Sequence, residues 1–183
     1  MQTLDAAPVR LFGWVTEKGP GVTYEALGIN GAEASIFSRW DEELLLSNLA
    51  ERFPALIVVS YGTNEAGHAW SYEKYYEVFW RLLLTLRRGA PAASILVVGP
   101  PDRGRGRRRG FQAAPGLDLI IRAQREAAVA SGCAFWDTRS RMGGEGSIKQ
   151  WMLAGLAGSD SVHFSSDGYR TLGASLYEDL MHQ

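Results

Sequence analysis

Apolar and polar positions along this chain fall into two alternating periods. Leu56-Ile57-Val58-Val59-Ser60-Tyr61, after Pro54, is a continuous apolar run with the length of a parallel strand buried on both faces. Ile95-Leu96-Val97-Val98 repeats it and is stopped by Gly99-Pro100-Pro101, because proline donates nothing to a ladder and restrains the residue before it. Cys133-Ala134-Phe135-Trp136 is a shorter strand ahead of Asp137, and Val22-Thr23-Tyr24-Glu25-Ala26-Leu27 alternates like a strand with one wetter face. Helical spacing lies between them. Tyr72, Tyr75, Tyr76, Phe79, Leu83 and Leu86 recur between Ser71, a good N-cap, and Pro91, a good stop. Leu117, Ile120, Ile121 and Gln124 open a helix after Pro115-Gly116, and Tyr169, Leu172, Leu176 and Leu180 mark a last one from near Asp167. Residues 32–52 read as one further helix starting from Gly31. Strands alternating with helices of this length specify right-handed βαβ units. The fold class is therefore α/β, a three-layer α/β/α sandwich on a parallel sheet, with sites at the carboxyl ends of the strands.

The remaining bulk properties narrow the function. A chain of 183 residues fits one domain over 1–183 with a single core. Hydrophobic residues make up 46%, charged residues 21%, and mean hydropathy is −0.12, the balance of a globular protein and not of a disordered one. The net charge of −1 and pI near 6.3 give no general attraction to nucleic acid or an anionic membrane. The basic run Asp102 to Gly110 reads as a solvated glycine-rich loop, since no aromatic residue interleaves it. No apolar run reaches the roughly 18 residues of a membrane span, and Met1 to Pro8 lacks the basic and apolar regions of a secretory signal. Cys133 is the single cysteine, so no internal disulfide forms, and its apolar setting predicts inert packing. His68, His163 and His182 lie far apart and lack metal-site spacing, so no metal is expected.

Three short segments at expected strand or helix ends carry candidate chemistry: Gly28-Ile29-Asn30-Gly31, Gly62-Thr63-Asn64-Glu65, and Asp160-Ser161-Val162-His163. An Asp three residues before a His lets a turn bring the carboxylate to imidazole Nδ1–H, leaving Nε2 as a base. Asn64 can offer its amide, and Gly31 an unobstructed backbone N–H, to a developing oxyanion. Taken singly, each has a plainer reading: a turn asparagine, a helix-start glycine, a surface cap. Glu65 either orients Asn64 or faces solvent, the second being the simpler reading, and His68 reads as a loop residue.

In their order and spacing these segments resemble the SGNH/GDSL hydrolase superfamily. Gly31 in Gly-Ile-Asn-Gly-Ala looks like the family's glycine, Asn64 like its asparagine, and Asp160 with His163 like its end block. Met142-Gly143-Gly144-Glu145-Gly146-Ser147, then Trp151 and Gly155-Leu156-Ala157, is similar to a branch that includes bacterial O-acetylpeptidoglycan esterases. The resemblance implies a flavodoxin-like sheet, catalytic His163 and Asp160, an oxyanion hole from Gly31 and Asn64, and substrate contacts at Gly143, Gly144 and Trp151. It implies no cofactor, an acetylated carbohydrate or other small ester as partner, and a parent acting in the periplasm or outside the cell. The family's first block, Gly-Asp-Ser, carries the nucleophile, and no such tripeptide occurs here. The expectation is a chain lacking the first strand, with an N-terminal segment that carries the serine missing. Residues 1–21, with Val9 to Trp14, would be the tail of an inserted β-sandwich domain. Without the first strand, Val58 and its neighbours are expected to lack a backbone partner, lowering the chain's stability. Two further readings compete with the esterase. One is a non-catalytic glycan-binding pseudo-esterase, for which six tryptophans offer stacking surfaces. The other, a flavodoxin-like cofactor or nucleotide binder, lacks a Gly-x-Gly-x-x-Gly loop or P-loop lysine.

Overall fold

The computed structural model describes residues 15–105 and 112–182, in two compact units, Met1–Asn30 and Gly31–Gln183. The described part of the first unit, from residue 15, contains no helix or strand. The alternating segment at Val22 is therefore not a strand: Val22, Tyr24 and Leu27 stand almost wholly in solvent. Alternation specifies a strand only where one face has something to pack on. The expected β-sandwich tail at Val9 to Trp14 lies outside the described residues, as does most of the arginine-glycine loop.

The second unit is an α/β/α sandwich. In chain order it contains α1 (Glu42–Arg52), β1 (Leu56–Val59), α2 (Tyr72–Gly89), β2 (Ser94–Val98), a minimal hairpin of β3 (Gly104–Arg105) and β4 (Gln112–Ala113), and α3 (Leu117–Ala130). There follow β5 (Ala134–Trp136), α4 (Thr138–Met142), α5 (Ser147–Leu153) and α6 (Ser166–Met181). The parallel sheet has the order β1-β2-β5, with Leu56 opposite Ser94 and Leu96 opposite Ala134. Ile57 and Val59, Ile95 and Val97, and Phe135 share one face. It packs on Tyr75, Phe79, Leu82, Leu83 and Leu86 of α2 and on Ile120, Ala123 and Ala127 of α3. Successive strand residues alternate sides, so Trp136 points the other way, where its indole N–H donates to Asp179 of α6 at 2.7 Å. Gly168 of α6 sits where an added Cβ would lie 2.0 Å from the Leu156 carbonyl oxygen, so only glycine lets this helix seat there.

Residues 32–52 do not form one helix. A 3-10 helix (Ala34–Arg39) ends at Trp40, and Asp41 starts α1 by accepting from Leu44 N–H at 2.9 Å. Asp41-Glu42-Glu43 is itself a helix-start signature lying inside the apolar repeat. The glycine-bearing stretch after Asp137 is also more ordered than a loop. Asp137 caps α4 by accepting from Ser140 N–H at 2.9 Å, and α5 follows directly.

β1 is an edge strand, and among the described residues nothing pairs with its outer side. Leu56 and Val58 on the face away from α2 are about half exposed (48% and 50%). The cost differs in kind from the expected burial of unpaired backbone. At half-exposed residues the backbone groups stay within reach of water, so the unfavourable contribution is chiefly the apolar area left in solvent. The α6 helix repeats this pattern. Among its described residues only Gly168 is buried, while Tyr169, Tyr177, Leu180 and Met181 are exposed.

Candidate active site

The chain leaves β1 through Ser60 and Tyr61 into a turn at Gly62, where φ is 112° and an added Cβ would meet Pro100 Cγ at 2.8 Å. Glu65, two residues past Thr63, corrects the simpler sequence reading, because its side chain is fully buried and does not face solvent. Its Oε1 accepts from Ala34 N–H at 2.8 Å and its Oε2 from Gly62 N–H at 2.9 Å. The Tyr75 hydroxyl donates to Oε1 at 3.4 Å. Gln124 donates to the Tyr75 oxygen at 2.9 Å and to the Tyr61 carbonyl at 3.0 Å. Burial pushes the Glu65 carboxyl above its usual range, and the backbone N–H groups on it oppose that shift.

Asn64 points its amide back toward the residue after Gly31, donating to the Ala32 carbonyl at 2.9 Å. An amide carries two N–H donors, so this bond leaves the second N–H for another acceptor. His68, a loop residue as expected, pairs with Glu33. Three successive residues directly after Gly31, namely Ala32, Glu33 and Ala34, are thus fastened to Asn64, His68 and Glu65. Gly31 itself lies in a turn ahead of the 3-10 helix, not at its first residue as expected, so its N–H lies outside the helix.

Asp160 and His163 meet in a second turn. Gly158 N–H donates to the His163 carbonyl at 2.7 Å, and Ala157 bridges to Phe164. Asp160 Oδ1 accepts from the N–H of Val162 at 2.9 Å and of His163 at 3.0 Å, while Oδ2 lies 2.7 Å from His163 Nδ1. The imidazole hydrogen bond lowers the Asp160 carboxyl to about 2, opposed by desolvation and helped by the two backbone N–H groups. With Nδ1–H spent on the carboxylate, Nε2 keeps its lone pair, and the ring is largely exposed.

The two turns are tied together through the loop after β2. The Arg103 guanidinium donates to the Thr63 carbonyl, and Gly104 N–H donates to the Ser161 carbonyl at 3.0 Å. Sequence reasoning placed Arg103 in a solvated loop and gave it no role. Its one sequence signal is its position directly beyond a strand end. The three residues expected at the substrate lie at the end of α4 and in α5. Gly143 and Gly144 cap α4, donating to Ser140 and Arg139 carbonyls at 3.1 and 2.9 Å. Trp151 is buried beside Met142 and Ile148, its indole N–H donates to the Met142 carbonyl at 3.0 Å, and its ring meets Phe164 edge-on at 5.4 Å. With its N–H spent on Met142 and its ring on Phe164, Trp151 backs the His163 loop.

Other places offer less chemistry. Cys133 is buried, which raises its thiol above the usual range and keeps it a poor nucleophile. A hollow of about 240 Å³ lies between the ends of α1 and α2, lined by Leu49, Phe53, Pro54 and Ala90 without an ionisable side chain. It sits at the amino end of the strands, away from both turns. Among the described residues no three His, Cys, Asp or Glu side chains gather closely enough to hold a metal ion.

No curated protein matches the chain significantly. Among solved structures it is similar to one described as "Peptidoglycan O-acetylesterase in action, 5 min", at 31% identity and TM-score 0.81, over 86% of this chain and 45% of that one. The chain therefore spans less than half the length of that relative. It also shares its fold with a lipase/acylhydrolase from Enterococcus faecalis, at 17% identity and TM-score 0.58, over 82% of this chain and 71% of that one. The acetylxylan esterase Axe2 from Geobacillus stearothermophilus has the same identity and TM-score, with 82% and 68% covered. With the family model matching residues 4–171, on a sheet and turns of this kind, the chain belongs to the GDSL-like lipase/acylhydrolase family.

Proposed function

We propose that this chain forms the base, acid and oxyanion side of an esterase site that removes O-acetyl groups from a bacterial polysaccharide such as peptidoglycan. The observation that carries the reading is the Asp160–His163 pair at 2.7 Å, on a turn fastened through Arg103 and Gly104 to the turn bearing Asn64. The 31% identity to a structure named for peptidoglycan O-acetyl ester cleavage supports the substrate class. The nucleophile is a serine supplied by a segment outside residues 15–182. The half-exposed Leu56 and Val58 and the open edge of β1 favour a further parallel strand there.

In the reaction the serine hydroxyl adds to the acetyl carbonyl while His163 Nε2 takes its proton. Asp160 holds the imidazole and stabilises its cationic form. The second Asn64 amide N–H and the Gly31 N–H donate to the oxygen that gains charge. Collapse expels the sugar oxygen, which takes the proton from His163 and leaves as the free hydroxyl. Water, deprotonated by the same imidazole, then releases acetate and restores the serine.

The lack of a Gly-Asp-Ser tripeptide favours one second reading, a glycan-binding pseudo-esterase that keeps the cleft without turnover. Acetate release from O-acetylated peptidoglycan separates the two. The expected result is an in-frame serine block upstream of Met1, turnover by the protein containing it, and loss of at least about a thousandfold in His163→Ala. Saturable glycan binding with no acetate released from the serine-containing protein would sink the esterase reading.

A further inference from the structure

Three consecutive residues directly after Pro100-Pro101, at the carboxyl end of β2, each fasten a different part of the protein. The Asp102 carboxylate is fully buried and its Oδ2 accepts from Ile148 N–H at 2.9 Å, in the first turn of α5. Arg103 donates through Nη1 to the Thr63 carbonyl, next to Asn64. Gly104 N–H donates to the carbonyl of Ser161, between Asp160 and His163, at 3.0 Å. The Arg103 carbonyl is itself held, accepting from Ala114 N–H at 3.2 Å just ahead of α3. Ser161 is buried and has φ 60°, a left-handed conformation that a residue with a Cβ seldom adopts. Its N–H donates to the Gly158 carbonyl at 3.1 Å, so both its backbone groups are engaged while it holds that shape.

Neither Thr63 nor Ser161 belongs to a strand or a helix, so no regular ladder sets the distance between the two turns. A guanidinium on one side and the next residue's N–H on the other do so instead. We infer that Arg103 is a positioning residue: it holds the Asn64 amide at a set separation from the His163 imidazole. This rests on the esterase reading for its purpose, not for its geometry. A misplacement of about 1 Å between reacting groups costs on the order of a hundredfold in rate, which gives such a strap a function beyond stability. A planar guanidinium keeps its donors at fixed angles on a carbonyl, a constraint a lysine ammonium lacks.

Hydrogen exchange on the whole 183-residue chain tests the strap. In Arg103→Met the amide of Gly104, and those of Gly67 and His68 that close the Asn64 turn, are expected to exchange at least about tenfold faster. Phe79 and Leu83 in α2 are expected to keep wild-type rates, and Arg103→Lys to recover part of the protection. Wild-type exchange at Gly104 in Arg103→Met overturns the inference. So does a rise shared equally by Phe79 and Leu83, because it reports general destabilisation. In a serine-containing protein that releases acetate, Arg103→Met should lower kcat at least about tenfold with KM little changed. Unchanged kcat there removes the strap and leaves the esterase reading standing. A local exchange response without any acetate release leaves the strap and removes the esterase.

Discussion

Replacing Glu65 by glutamine keeps the shape of the side chain and changes one atom that two loops depend on. In the native site its two oxygens accept the N–H groups of Ala34 and Gly62, at 2.8 and 2.9 Å, in a fully buried position. Glutamine has one acceptor oxygen, so its NH2 must face one of those donors. A buried N–H left without an acceptor costs about 1–3 kcal/mol, and Glu65→Gln should lower stability by about that much near neutral pH. Glu65→Ala strands both donors, a loss of about 2–6 kcal/mol, partly offset because no carboxylate is then desolvated. Against a typical domain stability of about 5–15 kcal/mol the alanine variant approaches unfolding. Urea unfolding followed by tryptophan fluorescence, with the m-value held in common, measures both differences. A Glu65→Gln variant within about 0.5 kcal/mol of wild type would refute the argument, since it would mean the two N–H groups find water or another acceptor. The pH dependence supplies an independent check. The folded carboxyl is raised above 4.5 by burial, so in the window opening at 4.5 the folded chain holds a proton that the unfolded chain has released. Stability from this group therefore falls as pH rises through that window, and the gap between wild type and Glu65→Gln narrows.

Gly62→Ala places a Cβ 2.8 Å from Pro100 Cγ and 2.9 Å from Ile120 Cγ2, at φ 112°, and is expected to cost about 2–5 kcal/mol by urea unfolding from overpacking and backbone strain together. Asp160 titrates near 2 in the folded chain, below its ordinary 3.8, so its stabilising contribution is present above 3.8 and lost as pH falls toward 2. Carboxyl NMR should place its midpoint near 2 in wild type and closer to 3.8 in His163→Ala; an unmoved midpoint would remove the imidazole as the main cause.

The parts of the fold legible in sequence are those set by short-range periodicity and punctuation. β2 stops before Gly99-Pro100 and α2 runs from Ser71 to the stretch before Pro91, each where its pattern ends, while β1 starts after Pro54 and stops at Val59, two residues short of its apolar run. The Asp160–His163 contact was legible for the same reason, since three residues of separation let one turn join them. Asp41 was readable too, as a cap followed by two acids, but the apolar repeat running past it on both sides outweighs a single capping residue. Val22 to Leu27 fails in the opposite sense: its alternation is genuine, yet Val22, Tyr24 and Leu27 stay exposed and no strand forms.

By itself, then, the amino-acid order determined the α/β class, the principal strands and helices, and the family to which the Asn64 and His163 segments belong. These follow from the periods of helix and strand and from residues that start or stop them, all of which act within a few positions along the chain. Only the folded protein decided that Glu65 is interior, that Trp151 is packing, that Arg103 and Gly104 join two turns, and that Leu56 and Val58 stay half in water. Whether a side chain is buried, and on which partner its polar atoms are spent, depends on segments tens of residues away, and local pattern carries no record of them.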